Sequence, residues 1–205
     1  MATQFLFATN NPGKVKEIQA VFKGTGIEIT SLAHLNLFYE PPETGNTFEA
    51  NATQKATMTR DFLRENGITN LPVLADDSGL CIDALGGEPG VDSANFMGRE
   101  TPYDVRNTHL IEALKDAKNR AARFVCVIAC AFPDGSITTT TAAMEGEIAH
   151  APVGAGGFGY DPIFYLPEYG KTSAELTLEE KNKISHRGQA LALMIRKLTH
   201  ENTAD

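Results

Sequence analysis

The chain has 205 residues, 42% of them hydrophobic and 21% charged, so it is long and apolar enough to bury a core and is not a disordered chain. The formal net charge of −8 argues against polymeric nucleic acid or an anionic membrane as the main partner, because both require a basic surface. No signal sequence is recognisable at the start, and no apolar stretch approaches the ~20 residues of a membrane helix, so we expect a cytoplasmic protein.

The hydrophobic pattern predicts alternating strands and helices in the first half of the chain and a meander of strands in the second. The predicted strands are Phe5–Thr9, Ile27–Ile29, Leu71–Ala75, Phe124–Phe132, Ser136–Ala143 and Gly146–Ala149. Helices are predicted after the turn at Asn10–Gly13, over Thr47–Glu65, over Pro102–Ala117, and around Leu191, Met194, Ile195 and Leu198. This order predicts a single α/β domain, residues 1–205, with a mixed sheet.

The segment Thr9–Lys14 places a tight turn of asparagine and glycine between a strand and a helix. Exposed backbone amides and the positive end of the helix dipole favour an anion at such a turn. Since a lysine is otherwise unfavourable in the first turn of a helix, Lys14 indicates a phosphate ligand. A well-capped surface helix with an exposed lysine explains the segment equally well.

Asp76 and Asp77 follow the apolar run Leu71–Ala75, where a sheet of parallel strands presents its carboxyl edge to ligands. Because adjacent side chains on an extended strand point in opposite directions, the two carboxylates need not share one role. One can bind Mg²⁺, and one can accept a proton from an attacking water. A turn that simply closes the strand is the alternative.

The loop Gly154–Gly159 matches the dinucleotide pattern G-x-G-x-x-G, but that pattern requires a following helix. We reject this interpretation because extended chain interrupted by Pro162 follows the loop. A glycine loop that lets the backbone approach a ligand, with Phe158 stacked on a base, is a better interpretation. A flexible hairpin loop with Phe158 in the core remains the alternative.

Charged side chains cluster at two further places. Lys181 and Arg187 lie near His186, and such cations suit phosphate or base oxygens, although a lone histidine is more typical of a surface or helix-capping role. Glu43 and Glu49 flank a helix start, where the helix dipole favours carboxylates and where they can also complete a metal site. A Ser/His/Asp hydrolase is disfavoured because the G-x-S-x-G elbow is absent. Together the features are typical of a magnesium–nucleotide site.

Five ordered motifs resemble the inosine triphosphate pyrophosphatases, which act on non-canonical purine nucleotides, and the chain looks like the bacterial-type member of that family. The resemblance extends from about Phe5 to about Leu198. The motifs are Thr9-x-Asn11-x-x-Lys14-x-x-Glu17, Glu43-Thr44-Gly45-x-Thr47-Phe48, Ala75-Asp76-Asp77-Ser78-Gly79-Leu80, Gly156-Gly157-Phe158-Gly159-Tyr160-Asp161-Pro162 and Ser185-His186-Arg187. The resemblance implies Mg²⁺-dependent hydrolysis of ITP, dITP or XTP to the monophosphate and pyrophosphate, which removes these nucleotides from the pool.

The same resemblance implies an α/β fold with an elongated mixed β-sheet flanked by helices, in two lobes with the active-site cleft between them, usually as a homodimer. Asp77 would be the catalytic proton acceptor and, with Glu43, would bind Mg²⁺. Thr9, Asn11 and Lys14 would contact the triphosphate. The full set of implied substrate contacts is Thr9, Asn10, Asn11, Pro12, Gly13, Lys14, Ser78, Phe158, Gly159, Tyr160, Asp161, Lys181, His186 and Arg187, with the last two near the base.

Two positions depart from the family pattern. Glu49 stands one residue before the usual acid and Ala50 takes that place, which turns the carboxylate by about 100° around a helix. Asn95 replaces a frequent cation, which would weaken a phosphate contact. Two other functions therefore stay open. They are hydrolysis of canonical or modified pyrimidine nucleotides, and nucleotide binding without catalysis, which the loss of an acid at Ala50 raises.

Overall fold

The computed structural model describes residues 3–9 and 11–201 of the chain. Within these residues the strands are β1 (Thr3–Phe7), β2 (Ile27–Thr30), β3 (Val73–Ile82), β4 (Ala121–Ala131), β5 (Ile137–Ile148), β6 (Phe164–Leu166) and β7 (Lys171–Thr172). The α-helices of the same residues are α1 (Pro12–Phe22), α2 (Phe48–Glu65), α3 (Tyr103–Ala113), α4 (Leu178–Ile184) and α5 (His186–Glu201).

The strands form a seven-stranded sheet in the order β2-β1-β3-β4-β5-β6-β7. β1 runs parallel to both β2 and β3, with Phe5 opposite Ile29 and Leu6 opposite Val73. The pairs β5–β6 and β6–β7 are antiparallel, with Tyr165 opposite Glu147 on one side and Thr172 on the other. The prediction of an α/β fold with a mixed sheet is therefore confirmed, as is the meander over the second half of the chain.

The chain divides into two compact units, each with its own core. The first unit contains residues up to Asp77, Cys126–Ala142 and the chain from Arg187 onward. On one face of its strands, α1 and α5 pack through Ile18, Phe22, Leu191, Met194 and Leu198 against Phe5, Phe7, Leu74, Ile128 and the thiols of Cys126 and Cys130. On the other face, α2 packs through small side chains against Ala75, Val127, Ala129 and Ala131. Alternate residues of each strand thus serve opposite layers, as the pleat requires.

The second unit contains Ser78–Val125 and Ala143–His186. In its core, Leu110 and Leu114 from the α3 segment pack against the apolar side chains of the strands. These core partners are Leu80, Ile82, Ala122, Phe124, Met144, Ile148, Phe164 and Leu166. The expectation of one domain over residues 1–205 stays a prediction.

Several predicted boundaries are wrong, and each has a physical reason. The strand expected to end at Ala75 continues to Ile82, so Asp76 and Asp77 lie inside β3 and close no turn. Neighbouring strands and buried faces override the turn-forming composition of this segment. The two strands expected around Gly146 are one strand, β5, in which a Cβ at Gly146 would lie 2.5 Å from the Tyr165 carbonyl oxygen. Glycine at this position permits the close approach of β6 and does not interrupt the strand.

Other differences lie in the second half of the chain. The helix predicted over Pro102–Ala117 ends at Ala113. A 3₁₀ turn over Asp161–Ile163 replaces the extended chain expected there, with Pro162 inside it. Helix α4 was not predicted. It begins at a capping box, in which the Thr177 hydroxyl accepts a hydrogen bond from the Glu180 backbone amide and the Glu180 carboxylate accepts one from the Thr177 backbone amide.

None of the helices described here has the length and apolar character that crossing a bilayer demands.

Candidate active site

Asp76 and Asp77 point to opposite faces of the sheet because they are neighbours on β3. Asp77 is on the same face of β3 as Ala75, whose side chain packs in the α2 layer. Asp76 is on the same face as Leu74, which packs in the layer of α1 and α5. Both carboxylates are buried, with Asp77 only 5% exposed. The two carboxylates, which need not share one role, therefore have different surroundings.

Asp77 is held by two side chains of α2 that lie one helical turn apart. The Asn51 amide nitrogen Nδ2 donates to Asp77 Oδ2 at 3.1 Å, and the Lys55 ammonium lies 3.3 Å from Asp77 Oδ1. The same ammonium is 2.8 Å from Glu43 Oε1. Since residues at i and i+4 share a face of a helix, α2 presents both donors to β3. A buried cation therefore bridges the two carboxylates that the resemblance assigns to a metal.

The charges of this group alter its protonation equilibria. Burial raises the pKa of Asp77, and the negative charge of Glu43 adds to the rise, while Lys55 and the Asn51 amide oppose it. Burial by itself would lower the pKa of Lys55, but the carboxylates of Asp76, Asp77 and Glu43 outweigh it and raise that pKa. Asp77 is therefore a better proton acceptor than an ordinary aspartate, and Lys55 stays cationic.

Asp76 belongs to a second, separate ion network. Its Oδ2 atom accepts from Lys14 Nζ at 2.8 Å and from Arg187 Nε at 3.1 Å, and Arg187 also donates through Nη1 to Glu17. Burial alone would raise the pKa of Asp76, but Lys14 and Arg187 hold it well below its ordinary value. Burial opposes the charge of Arg187 as well, and Asp76 and Glu17 keep its pKa above the usual range. Asp76 is thus an ionised anchor for two cations.

The predicted anion turn precedes α1. The Thr9 hydroxyl accepts from the Asn11 backbone amide at 3.2 Å, and Asn11 Oδ1 accepts weakly from the Lys14 backbone amide at 3.4 Å. Asn11 therefore stands at the N-cap, and Pro12 and Gly13 form the first helical turn. Asn10, also predicted to contact substrate, lies outside the described residues. The turn brings Lys14 to the helix N-terminus, where the dipole favours an anion.

The glycine–aromatic loop of the second unit is organised by Asp161. This buried carboxylate accepts from the Phe158 backbone amide at 2.8 Å, from the Ser173 hydroxyl at 2.9 Å and from Lys181 Nζ at 2.7 Å. The Lys181 ammonium also lies 4.9 Å from the centre of the Phe158 ring, a cation–π contact. Gly157 has φ +70°, and a Cβ there would lie 2.1 Å from the Asp161 carboxylate. Glycine is therefore required for the loop to fold onto Asp161.

The other predicted contacts of the second unit have different surroundings. The Tyr160 hydroxyl donates to the Ser93 carbonyl at 2.7 Å, and burial raises the pKa of this tyrosine to about 12. The buried His186 ring stacks on Phe124 with 4.8 Å between ring centres. Ser78 is half-buried in β3, and the Gly159 carbonyl accepts from an asparagine side chain of α3. Tyr160 and Asp161 are thus committed to contacts within the protein.

Sequence reasoning assigned no role to three functional candidates, Asn51, Lys55 and Glu17, although Glu17 stands in one of the five motifs. Asn51 and Lys55 fall on the buried face of α2 with Ala52 and Ala56, and Glu17 is a buried polar residue of α1 beside Ile18. That pattern is the signal that was available, since a buried charge requires a partner. Glu49 has the opposite outcome, because its exposed carboxylate accepts from the Thr139 hydroxyl at 2.9 Å and so faces away from the Asp77 group.

The Asp77 group suits a divalent cation in its donor chemistry. Glu43 and Asp77 already share one cation, the Lys55 ammonium, and further positive charge would offset the burial and the Glu43 charge that raise the pKa of Asp77. Residues 3–9 and 11–201 contain no group of three or more His, Cys, Asp or Glu side chains placed to hold a metal. Mg²⁺ commonly binds through one or two carboxylates and takes its other ligands from phosphates and water. Glu43 and Asp77 therefore fit this ion.

Known proteins resemble this chain over nearly its whole length. The model of the Ham1 family matches residues 5–197. A dITP/XTP pyrophosphatase of Exiguobacterium sp. is 46% identical over 188 residues, covering 92% of this chain and 93% of that protein. One from Thermus thermophilus is 47% identical over 192 residues, covering 93% and 89%. The solved structure of the Ham1 protein of Staphylococcus aureus superposes on this chain with a TM-score of 0.84 at 37% identity. The match covers 97% of this chain and 100% of that protein.

Proposed function

Since this chain belongs to the Ham1 family, we propose that it is a pyrophosphatase of non-canonical purine nucleoside triphosphates, in particular dITP, ITP and XTP. The products are the nucleoside monophosphate and pyrophosphate, so the enzyme removes these nucleotides from the pool. The observation that carries the proposal is the buried group in which Lys55 and Asn51 hold the Asp77 carboxylate beside Glu43. A carboxylate with a raised pKa, oriented at both oxygens, is what a general base for water requires.

The reaction follows from the properties of these side chains. Asp77 accepts a proton from a water molecule, the water oxygen bonds to phosphorus, and the P–O bond of the α–β anhydride breaks to release pyrophosphate. Lys14, at the N-terminus of α1, neutralises charge on the triphosphate, with Thr9, Asn11 and the backbone of the turn as further contacts. Lys55 stabilises the ionised form of Asp77 between turnovers. Electrostatic stabilisation of this kind is usually the largest single contribution to catalysis.

We propose Mg²⁺ as the cofactor, with Asp77 and Glu43 as its protein ligands. The ion supplies charge neutralisation on the phosphates when it is bound. Two carboxylates that already share a cation support this assignment, because Mg²⁺ prefers hard oxygen ligands and few protein carboxylates.

For the nucleoside, we propose the residues of the second unit that the resemblance points to: Ser78, Phe158, Gly159, Lys181 and His186, and Arg187 at the start of the first unit's last helix. Discrimination against adenine requires a donor aimed at the 6-oxo group, because the 6-amino group of adenine cannot accept that hydrogen bond. Guanine carries the same 6-oxo group, so this donor alone does not exclude it. Lys181 and His186 are buried side chains with donor groups, which supports them in this role. Tyr160 and Asp161 act through the loop, because their polar atoms already bind Ser93 and Lys181.

We also propose that the protein is a homodimer and that it works in the cytoplasm, as the family resemblance implies. Multi-angle light scattering at micromolar concentration should give about twice the chain mass of 22.1 kDa. A mass of one chain at all concentrations would contradict the dimer.

The decisive test of the function is pyrophosphate release across dITP, ITP, XTP, dGTP, dATP and dTTP at equal concentration with Mg²⁺. We expect kcat/KM for the 6-oxo substrates dITP, ITP and XTP to exceed that for dATP by about 100-fold, because a buried donor left without an acceptor costs a few kcal/mol. Chelation of the metal with EDTA should abolish release, and added Mg²⁺ should restore it. Fast release from dTTP would instead support the pyrimidine alternative, and binding without release would support the non-catalytic one.

A further inference from the structure

Asn51 connects the candidate base to the loop that carries Glu43. Its side chain is buried, with 3% of the residue exposed, in the first turns of α2. Nδ2 donates to Asp77 Oδ2 at 3.1 Å, and Oδ1 accepts from the Gly45 backbone amide at 2.7 Å. We propose that Asn51 is a positioning residue for hydrolysis, which orients the Asp77 carboxylate and ties the Glu43 loop to it. This inference rests on the proposed function.

The two neighbours of Asn51 leave its amide a single orientation. The ionised Asp77 carboxylate can only accept a hydrogen bond, and the Gly45 amide can only donate one. Asparagine offers a donor and an acceptor on one short, rigid group, so it satisfies both at once. Aspartate would keep the bond from Gly45 but would set an oxygen against Asp77, and leucine would provide neither bond. The chemistry of the position therefore specifies asparagine.

The second oxygen of Asp77 shows why this orientation matters. Lys55 Nζ lies 3.3 Å from Oδ1, a longer contact than the 2.8 Å from the same ammonium to Glu43. The Asn51 bond is thus the shorter of the two contacts that fix the plane of the Asp77 carboxylate. A proton acceptor must present its lone pair to the attacking water, and a displacement of about 1 Å can cost about 100-fold in rate.

The loop side of the connection leaves no space for a side chain. A Cβ at Gly45 would lie 2.7 Å from the Ala50 Cβ and 2.8 Å from Asn51 Oδ1. The backbone of the loop therefore approaches the start of α2 closely enough for the 2.7 Å bond to Asn51. Because Glu43 lies two residues before Gly45, this bond helps to fix the position of the Glu43 backbone, from which the side chain extends to Lys55.

The test compares Asn51→Leu and Asn51→Asp with the wild type in steady-state hydrolysis of dITP with Mg²⁺. We expect both variants to lower kcat by about 10- to 100-fold at saturating Mg²⁺ with a smaller change in KM, because Lys14 and the turn before α1 still bind the triphosphate. Glu49→Gln, on the neighbouring exposed position of α2, is the matched control and should keep the wild-type kcat. If the wild type itself released no pyrophosphate, the proposed function would be refuted. If only the variants behaved like the wild type, this inference alone would be refuted.

Asn51→Asp separates positioning of Asp77 from a merely structural role. If Asn51 only anchors Gly45, Asn51→Asp keeps the wild-type kcat, and that result would overturn the proposal even if Asn51→Leu failed to fold. A second readout needs neither metal nor substrate. In a ¹⁵N-labelled sample, the side-chain amide signal that disappears in Asn51→Leu should move upfield in Asp77→Asn, because the charged acceptor is lost. An unchanged signal would equally overturn the proposal.

Discussion

Replacing Asp77 with asparagine should lower kcat for dITP hydrolysis by about 10²- to 10⁴-fold, the range that a general base contributes. The amide has the size of the carboxylate but cannot accept a proton from water. The melting temperature of the Asp77→Asn variant should remain close to that of the wild type. The raised pKa of Asp77 means that the folded protein favours the uncharged form of this group. Steady-state pyrophosphate release and a thermal melt at neutral pH measure the two effects.

The control for this variant is Asp83→Asn, which removes a half-exposed carboxylate that pairs with Arg123 at 2.9 Å. It should retain kcat within about twofold, because a surface ion pair contributes little. Turnover by Asp77→Asn at more than about a tenth of the wild-type rate would remove Asp77 as the proton acceptor. Asp76, the adjacent carboxylate, would not take over that role, because two cations hold its pKa well below the ordinary value.

Replacing Arg187 with methionine should lower the free energy of unfolding by about 3–5 kcal/mol at pH 7, the range for removing one partner from a buried ion network. Arg187 is 3% exposed and binds two carboxylates that are themselves buried, Asp76 and Glu17. Methionine fills a similar volume, so the loss reports charge and hydrogen bonds more than packing. Urea unfolding followed by circular dichroism measures it.

The stability difference between Arg187→Met and the wild type should depend on pH. The depressed pKa of Asp76 contributes stability above its unfolded value of about 3.9, and that stability is lost as the pH falls through the lower folded pKa. Without Arg187 the carboxylates can relieve their burial by taking up protons. The difference between variant and wild type should therefore shrink as the pH falls toward and below about 4. Arg123→Met, at a side chain 36% exposed, should cost about 1 kcal/mol or less, and an equal loss for both variants would contradict the argument.

The class of fold could be predicted from the sequence, and Lys14, Asp76 and Asp77 could be singled out as candidate site residues. Alternation of apolar runs predicted β1, β2, β4 and α2 to within a few residues, because periodicity reflects which side chains must be buried. The Asn-Pro-Gly turn predicted the start of α1, since capping chemistry is local. The opposite directions of Asp76 and Asp77 also followed from the sequence, once both were placed on extended chain.

The contacts of each of these side chains depend on the folded chain and not on local sequence. The Asp-Asp-Ser-Gly run has the composition of a turn, yet it lies inside β3 because the neighbouring strands and buried faces outweigh local preference. The partnership of Lys55 with Glu43 and Asp77 joins residues 12 and 22 positions apart. Arg187 reaches Glu17 across 170 positions. No local pattern encodes such separations, because burial and charge compensation in the folded chain select the partners.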